Sequence, residues 1–336
     1  MEQESPSPES IFDLLNGHQR TATLKAAIDV ELFTAIQEGS HGTLALAKRC
    51  RASERGIRML ADTLTMLGLL YKNSMGYHLA PESEKFLVKN SPAYLGGTVE
   101  FMLASPLYDG FRRLTEAVQK GGTVLDEKGT TADAHPEWVT FARAMIPMMM
   151  PPAKWIVEYL VSQSCTVGKV LDIAAGHGIF GVEIAKRFPE SNITAVDWPN
   201  VLEVAKEQAQ AAGVQNRYGT LPGNAFEVEY GGGYDVILLT NFLHHFDSST
   251  CEGLLRKLYP ALKERGRLIT LEFVPNEDRV SPASADFALV MLATTPAGDA
   301  YTFNELKAMF NNAGFGHSEI HDVPDSKEHV IVTHKS

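Results

Sequence analysis

Apolar residues recur at helical spacing through the first part of the chain. The segments that share this spacing, each predicted to form an amphipathic helix, are 11–15, 24–28, 32–36, 43–50 and 53–67. After them, segments 69–72 and 77–80 flank a short polar turn, which predicts a β-hairpin. Helices followed by a hairpin outline a winged helix, so we predict a winged-helix domain over residues 1–93.

Two functions are open for the predicted winged helix, DNA binding and protein–protein interaction. The candidate recognition helix carries only Arg55 and Arg58, and the candidate wing only Lys72. Phosphate contacts require more positive charge than these three side chains supply. The pattern therefore favours an interaction module over a DNA-binding regulator.

A second helical layer is predicted over residues 94–160, with a polar, Gly-rich loop at 121–134. A cluster of methionines at 145–150 is unusual, because flexible methionine side chains can line an adaptable apolar pocket. Plain helix packing is an equally good interpretation of any single methionine. The candidate pocket-lining residues are Phe101, Met102, Phe141, Met145, Met148, Met149, Phe287 and Met291. They predict a flat, apolar, aromatic ligand.

From residue 165 onward, predicted strands and helices alternate, which is typical of an α/β sheet. The predicted strands are 169–172, 192–197, 216–221, 235–240, 267–273, 317–323 and 329–334. A helix is predicted over 201–212, and capping boxes at 249–252 and 302–305 predict two more, ending at Gly266 and Gly314. The connection between the last two strands is short, so they are expected to form an antiparallel hairpin.

One stretch, 170–181, has the strand–turn–helix form of a nucleotide-binding Rossmann-like half. Gly176, Gly178 and Gly181 spell G-x-G-x-x-G, which taken literally suggests NAD, and we interpret Gly181 as incidental to that match. Asp172 suggests a cationic ligand such as S-adenosylmethionine, whose ammonium group needs an acid nearby. Asp197, at the end of the next strand, suits ribose hydroxyls in either cofactor. The final antiparallel hairpin departs from a dinucleotide dehydrogenase and favours S-adenosylmethionine.

Composition narrows the class of protein further. The 336 residues are 44% hydrophobic and 21% charged, as in an ordinary soluble globular protein, and the net charge of -11 argues against a nucleic-acid or anionic-membrane partner. The three cysteines are far apart in sequence and are expected to be free thiols. The acidic, Pro/Ser-rich N-terminus does not resemble a signal peptide, and no apolar run is long enough to span a bilayer. A cytoplasmic protein is therefore expected.

Several segments together resemble a known family, the S-adenosylmethionine-dependent O-methyltransferases of the plant caffeate-type and bacterial antibiotic-tailoring kind. They are 141–145 (substrate-contacting linker helix), 170–178 (cofactor loop), 196–201 (ribose segment), 223–226 (adenine segment) and 241–247 (the His-Asp-Trp element). The resemblance spans the full length. It implies a winged-helix dimerisation domain (1–93) followed by a methyltransferase domain (94–336), made of a helical linker (94–160) and a Rossmann-like core (161–336).

The resemblance also implies roles for individual residues. His244 is expected to be the general base that takes a proton from the acceptor hydroxyl, and Glu272 the acid that orients it. The residues implied to bind S-adenosylmethionine, and S-adenosylhomocysteine as its product, are Asp172, Ala174, Gly176, Gly178, Asp197, Trp198, Asn224, Ala225, Phe226, Thr240 and Phe246. Those implied to bind a small-molecule acceptor are Phe141, Met145, Met149 and Met291. A homodimer formed through the N-terminal domain is expected.

The chain departs from the family pattern at several positions. Alanines 174 and 175 replace leading glycines of the cofactor loop, Asn224 replaces the adenine-contacting acid, and Phe246 replaces the tryptophan. A second orienting glutamate of the family falls at Ala300, beside Asp299. We interpret His245 as structural, because neighbours on an extended backbone point to opposite faces. The His-His pair without a third ligand does not predict a metal site. Carbon methylation and cofactor-bound non-methylating chemistry remain alternatives.

Overall fold

The computed structural model describes residues 7–103, 105–125, 129–131 and 137–335. The chain divides into two compact units, residues 1–100 and 101–336. The boundary lies seven residues beyond the one predicted at 93/94. In the described part of the chain, no helix is long and apolar enough to cross a membrane.

The N-terminal unit contains the predicted helices and hairpin. Its helices are α1 (Glu9–Leu15), α2 (Gly17–Asp29), α3 (Leu32–Gln37), α4 (Thr43–Arg49), α5 (Glu54–Met66) and α6 (Pro81–Phe86), and α7 (Gly96–Met102) runs across the boundary. Strands β1 (Leu70–Asn73) and β2 (Gly76–Leu79) pair in antiparallel register after α5. A core that includes Phe33, Leu46 and Leu64 holds these elements together. The winged-helix outline is confirmed.

The second unit begins with helices and continues as an α/β sheet. Its helices are α8 (Ser105–Arg112), α9 (Leu114–Lys120), α10 (Glu137–Ser162), α11 (Ile179–Arg187), α12 (Pro199–Ala211), α13 (Ser248–Leu258), α14 (Phe287–Thr294) and α15 (Phe303–Asn312). The predicted loop at 121–134 lies partly outside the described residues. The long helix α10 contains the methionine cluster and packs against α11 and α12.

A seven-stranded sheet forms the centre of the second unit. Its strands are β3 (Lys169–Ile173), β4 (Asn192–Asp197), β5 (Tyr218–Pro222), β6 (Tyr234–Thr240), β7 (Leu262–Glu272), β8 (Ser318–Asp322) and β9 (His329–His334), in the order β5-β4-β3-β6-β7-β9-β8. The first five strands are parallel, and β9 pairs antiparallel with both β7 and β8. The α/β, Rossmann-like fold with a terminal antiparallel hairpin is confirmed. The carboxyl ends of β3, β4, β6 and β7 therefore meet at one edge.

Helix α13 and strand β7 differ most from the sequence-based predictions. Helix α13 begins at Ser248, because the side chain of Asp247 accepts the backbone N–H of Thr250 at 3.0 Å; the capping box predicted at 249–252 is wrong. The same helix ends at Leu258 rather than Gly266, and β7 begins at Leu262. The exposed first residues of β7 are charged, a sequence pattern that also occurs on the exposed face of a helix. The strand is irregular there, and Arg265 has a φ of 62°. The capping box at Thr302 and Glu305 is confirmed.

Candidate active site

A tight loop follows β3 and turns the chain into α11. Ala174, Gly176 and Gly178 adopt left-handed backbone conformations, with φ of 52°, 56° and 73°. Only glycine adopts this region without cost, so Ala174 is strained where the family has glycine. At Gly178 a Cβ atom would lie 2.6 Å from the Tyr218 hydroxyl oxygen and 2.7 Å from the Ala205 Cβ. The loop therefore requires glycine at position 178, whereas at position 174 it tolerates an alanine with a strained backbone.

Gly181 is required by packing. A Cβ atom there would lie 2.8 Å from the Ile193 side chain and 3.1 Å from an oxygen of Asp172. Helix α11 can approach the sheet this closely only because residue 181 has no side chain. Close helix–strand packing needs this glycine whichever nucleotide the loop binds, so its match to the dinucleotide pattern does not indicate NAD.

Asp197 ends β4 beside the loop. One carboxylate oxygen accepts the backbone N–H of Gly176 at 2.8 Å and the other accepts that of Trp198 at 2.7 Å. Burial raises the pKa of Asp197 to about 6, although these two hydrogen bonds lower it in part. The carboxylate fixes the loop against β4 and keeps further acceptor capacity for hydroxyl groups of a ligand.

Asp172 lies behind the loop and is fully buried. Neither carboxylate oxygen has a hydrogen-bond partner among the described residues, and one faces the backbone of Gly181. Burial raises the pKa of Asp172 to about 8. The side chain is outside the set that lines the cavity described next, and its predicted contact with a ligand's ammonium group stays a prediction.

A cavity of about 320 Å³ opens at the carboxyl edge of the sheet. The predicted site residues that line it are Ala174, Gly176, Asp197, Trp198, Asn224, Ala225, Phe226, Thr240, Phe246, Phe141 and Met149. Those outside the lining set are Asp172, Gly178, His244, Glu272, Met145 and Met291. The structure thus brings most of the predicted ligand contacts to one place.

Three phenylalanines form one wall of the cavity. The rings of Phe226 and Phe242 each meet that of Phe246 edge-on, at centroid distances of 5.0 and 5.1 Å. Asn224, also on the wall, uses its side-chain oxygen to accept the backbone N–H of Phe226 at 2.9 Å. Such a wall suits a flat aromatic group, because ring edges and faces attract one another.

His244 and Glu272 form a buried pair beside the cavity. Nδ1 of His244 lies 2.5 Å from Oε2 of Glu272, and both side chains are almost completely buried. Oε1 of Glu272 accepts the backbone N–H groups of Phe242 and Leu243 at 3.1 and 2.9 Å. The carboxylate therefore anchors both the imidazole and the turn that carries it, and Nε2 is left to receive a proton.

His245 lies on the cavity wall, which the sequence did not predict. Residues Leu243–His245 form a 3₁₀ turn, so the alternation of an extended chain does not apply. The His245 ring meets the edge of Trp138 at 5.6 Å, and its buried Nδ1 has no partner among the described residues. Burial, and then His244, hold the pKa of His245 well below its usual range, so the ring is neutral.

The backbone of residues 298–299 holds the His244 turn from the other side. The Asp299 N–H donates to the carbonyl oxygen of His244 at 3.0 Å, whereas the Asp299 carboxylate accepts the N–H of Ala300 and faces Arg279. The Asp299 carboxylate therefore does not stand in for the orienting glutamate that the family has at the position of Ala300, which is buried. Main-chain contacts hold the turn here instead.

The candidate acceptor-binding residues differ in where they lie. Phe141 packs edge-on against Phe101 and Trp138, at 4.9 and 5.5 Å, and Met149 lines the cavity. Phe287 meets the His244 ring at 4.9 Å. Met145 and Met291 pack inside the unit, whereas Met102 is largely exposed and Met148 is partly exposed.

Ten residues that line the cavity were not among the predicted site residues: Trp138, Ala175, His177, Phe180, Val196, Val201, Gly223, Asn241, Phe242 and His245. His177 is neutral, because burial lowers its pKa to about 4, and its Nδ1 accepts the backbone N–H of Ile179. Asn241 immediately follows β6 and has a φ of 52°, a conformation that asparagine tolerates better than most residues. The one sequence signal that could have placed Asn241 at the cavity is its position immediately after a buried strand, at the sheet edge where ligands bind.

Two family models and several known proteins match this chain over most of its length. Residues 111–316 match the model of the O-methyltransferase domain, and residues 12–89 that of the O-methyltransferase dimerisation domain. The chain is 27% identical to 3-hydroxy-5-methyl-1-naphthoate 3-O-methyltransferase of Streptomyces sahachiroi, over 91% of this chain and 89% of the relative. It is 28% identical to 3-amino-4-hydroxybenzoate 4-O-methyltransferase of Streptomyces cremeus, over 94% and 87%.

Solved structures show the same likeness. A Nostoc punctiforme protein, provisionally described as an O-methyltransferase, superposes with a TM-score of 0.95 at 49% identity, over 98% of this chain and all of that one. Human N-acetylserotonin methyltransferase in complex with S-adenosylmethionine superposes with a TM-score of 0.87 at 23% identity, over 100% and 99%, which shows a shared fold. On the fold, the cavity and the matched segments together, the chain belongs to the O-methyltransferase family.

Proposed function

We propose that this chain transfers a methyl group from S-adenosylmethionine to a hydroxyl group of a small aromatic secondary metabolite, with His244 as the general base. The observation that carries the proposal is the buried contact between His244 Nδ1 and Glu272 Oε2 at 2.5 Å, placed at the carboxyl edge of the sheet beside the cavity. Each part of the proposal rests on a different group of residues.

The cavity lining fits the proposed cofactor. Asp197 would accept the ribose hydroxyls, the loop 174–178 would hold the methionine portion, and Phe226 and Phe246 would enclose the adenine. When bound, S-adenosylmethionine supplies an electrophilic methyl group. The residues of this chain fix its position, and in-line positioning of two reactants supplies much of the rate of such a displacement.

The His244–Glu272 pair fits proton removal from an acceptor hydroxyl. A phenol has a pKa of about 10 and reacts poorly until a base takes its proton. Glu272 holds Nδ1 of the ring, which directs Nε2 to the proton and stabilises the imidazolium that results. Burial of both side chains strengthens this electrostatic contact.

The walls on the linker side of the cavity fit an apolar, flat acceptor. Trp138, Phe141 and Met149 come from α10 and present aromatic and thioether groups to the cavity. The two Streptomyces relatives are named for hydroxylated aromatic acids, a naphthoate and a benzoate. We infer the same broad class, a hydroxylated aromatic compound, for this chain. We further infer that the chain forms a homodimer through the segment that matches the dimerisation domain.

The test is direct. The purified protein is incubated with S-adenosylmethionine and a panel of hydroxylated aromatic compounds, each paired with its deoxy analogue, and products are identified by mass spectrometry. The proposal expects O-methylated product and S-adenosylhomocysteine in equal amounts, and none from the deoxy analogues. Methylation at carbon, or conversion of a substrate without consumption of S-adenosylmethionine, would contradict it.

A further inference from the structure

His177 is a buried histidine in the loop between β3 and α11. It lies between Gly176 and Gly178, whose left-handed backbone conformations turn the chain into the helix. The residue is only 6% exposed and lines the cavity, as does Phe180 in the first turn of α11. His177 therefore forms part of the cavity wall at the end that the loop provides.

The two ring nitrogens of His177 have different surroundings. Nδ1 accepts the backbone N–H of Ile179, the first residue of α11, at 3.2 Å. Nε2 has no hydrogen-bond partner among the described residues, and it is not one of their fully enclosed polar atoms. Because His177 lines the cavity, Nε2 is the nitrogen that a ligand there can reach.

The contact with Ile179 fixes the tautomer of the ring. A ring nitrogen that accepts an N–H carries no proton, so the proton of a neutral imidazole lies on the other nitrogen. The ring is neutral at physiological pH, because burial lowers the pKa of His177 to about 4. His177 therefore presents a Nε2–H donor to the cavity. The same contact holds the ring in place, and the tilted ring of Phe180 lies 5.7 Å away.

A hydrogen-bond donor at this place fits an anionic group of a ligand. No lysine or arginine is among the described residues that line the cavity, so a carboxylate bound there depends on neutral donors. The start of α11 adds the partial positive charge of a helix N-terminus, which favours an anion. The proposed position of the cofactor puts its methionine portion, which carries one carboxylate, beside this loop.

We propose that the Nε2–H group of His177 donates a hydrogen bond to the carboxylate of S-adenosylmethionine and of S-adenosylhomocysteine. This inference rests on the proposed position of the cofactor in the cavity. The ring then has two tasks, because Nδ1 caps the first turn of α11 while Nε2 binds the ligand. The cofactor-binding role and the structural role of His177 can therefore be separated by substitutions that keep one nitrogen position each.

The experiment compares the wild type with His177→Asn and His177→Gln. Asparagine can place an oxygen near the position of Nδ1 but does not reach that of Nε2. Glutamine can place its amide nitrogen near the position of Nε2 but leaves Ile179 without its acceptor. Calorimetry measures the affinity of each protein for S-adenosylhomocysteine and for S-adenosyl-3-thiopropylamine, which lacks only the carboxylate.

The two variants should differ in opposite directions. His177→Asn should lose roughly tenfold or more in affinity for S-adenosylhomocysteine, because a hydrogen bond to a charged group is lost, and should bind the amine as tightly as the wild type does. His177→Gln should keep most of the affinity for S-adenosylhomocysteine and should unfold at a lower temperature than His177→Asn. Equal losses for both ligands in His177→Asn would overturn the proposal, because the ring would then act on the adenosine portion or by packing alone. An unchanged affinity for S-adenosylhomocysteine in His177→Asn, with a raised KM for the acceptor, would also overturn it.

A measurement on the wild type tests the same contact if a variant folds poorly. In nitrogen-15 NMR of His-labelled protein, the Nε2–H signal of His177 should move when S-adenosylhomocysteine is added and should not move when the amine is added. A signal that responds equally to both ligands would refute the contact. Absence of O-methylated product from the wild type would instead refute the proposed function, and the comparison of the two ligands would still decide the role of His177.

Discussion

The backbone N–H of Asp299 donates a 3.0 Å hydrogen bond to the carbonyl oxygen of His244. The contact joins the turn before α15 to the turn that carries the proposed base. Gly298 makes the approach possible, because a Cβ atom at that position would lie 2.2 Å from the same carbonyl oxygen. The orientation of His244 therefore depends on main-chain packing as well as on Glu272.

Gly298→Ala should displace the His244 turn. We expect a loss of about 1–3 kcal/mol in the free energy of unfolding, because the added methyl group meets backbone rather than a mobile side chain. Turnover should fall more than affinity for S-adenosylhomocysteine. Chemical denaturation and steady-state kinetics measure the two effects. Gly253→Ala is the control: it lies in α13 with open space around it and should be neutral or stabilising. If Gly298→Ala and Gly253→Ala have the same stability and the same turnover, close packing at Gly298 does not position the His244 turn.

Ala174→Gly should relieve strain in the cofactor loop. The left-handed conformation costs an alanine about 1–2 kcal/mol, and the extra freedom of glycine in the unfolded chain offsets part of the gain. We expect a net stabilisation of up to about 1 kcal/mol, measured by denaturant unfolding. The comparison variant is Ala211→Gly at the end of α12, which should instead lose about 0.5–1 kcal/mol. Destabilisation by Ala174→Gly would show that the loop is not strained.

His245→Phe should weaken ligand binding and leave the fold intact. Phenylalanine keeps a ring against Trp138 but removes both ring nitrogens, so a ligand group that bonds either nitrogen loses one hydrogen bond. The loss corresponds to a rise of roughly tenfold in KM for the acceptor or in Kd for the cofactor. His245→Asn, which keeps a polar group near the same place, should recover part of it. Unchanged constants for His245→Phe would mean that His245 only packs.

Cofactor affinity should depend on the protonation of Asp197. Its pKa is raised to about 6 by burial, and ribose hydroxyls bind better to the ionised form. Affinity for S-adenosylhomocysteine is therefore expected to rise as the pH increases through about 6 and to level off above it. Calorimetric titrations between pH 5 and 8 measure this, and Asp197→Asn should bind weakly at every pH. A wild-type affinity that is constant over this range would exclude the contact.

Strands bounded by clear turn signals could be predicted from the sequence. The apolar run of β4 gave the observed bounds, 192–197, and Thr302 and Glu305 formed the predicted capping box. The start of α13 could not be placed, because Asp247 and Ser249 are both good capping residues and only tertiary packing selects between them. At β7, the exposed charges of its first residues concealed only the start of the strand, which was predicted from residue 267.

Site residues could be predicted from the sequence where their chemistry identifies them. They could not be predicted where the local backbone geometry determines whether a side chain reaches the cavity. The contact between Glu272 and His244 followed from the resemblance, and the structure shows it. The place of His245 on the wall depends on a 3₁₀ turn that alternation does not reveal. Trp138 reaches the cavity because of the rotational phase of α10, which the hydrophobic pattern does not fix.

The central claim is that His244 removes the acceptor proton. Its most direct test measures both the turnover and the cofactor affinity of the variant His244→Ala. A positioned general base contributes roughly 10²–10⁴-fold to rate, so turnover on a phenolic acceptor should fall by that factor. S-adenosylhomocysteine should still bind with wild-type affinity in calorimetry, because the residues proposed to hold the cofactor, Asp197 and the loop 174–178, are unchanged. Methylation by His244→Ala at the wild-type rate would contradict the account.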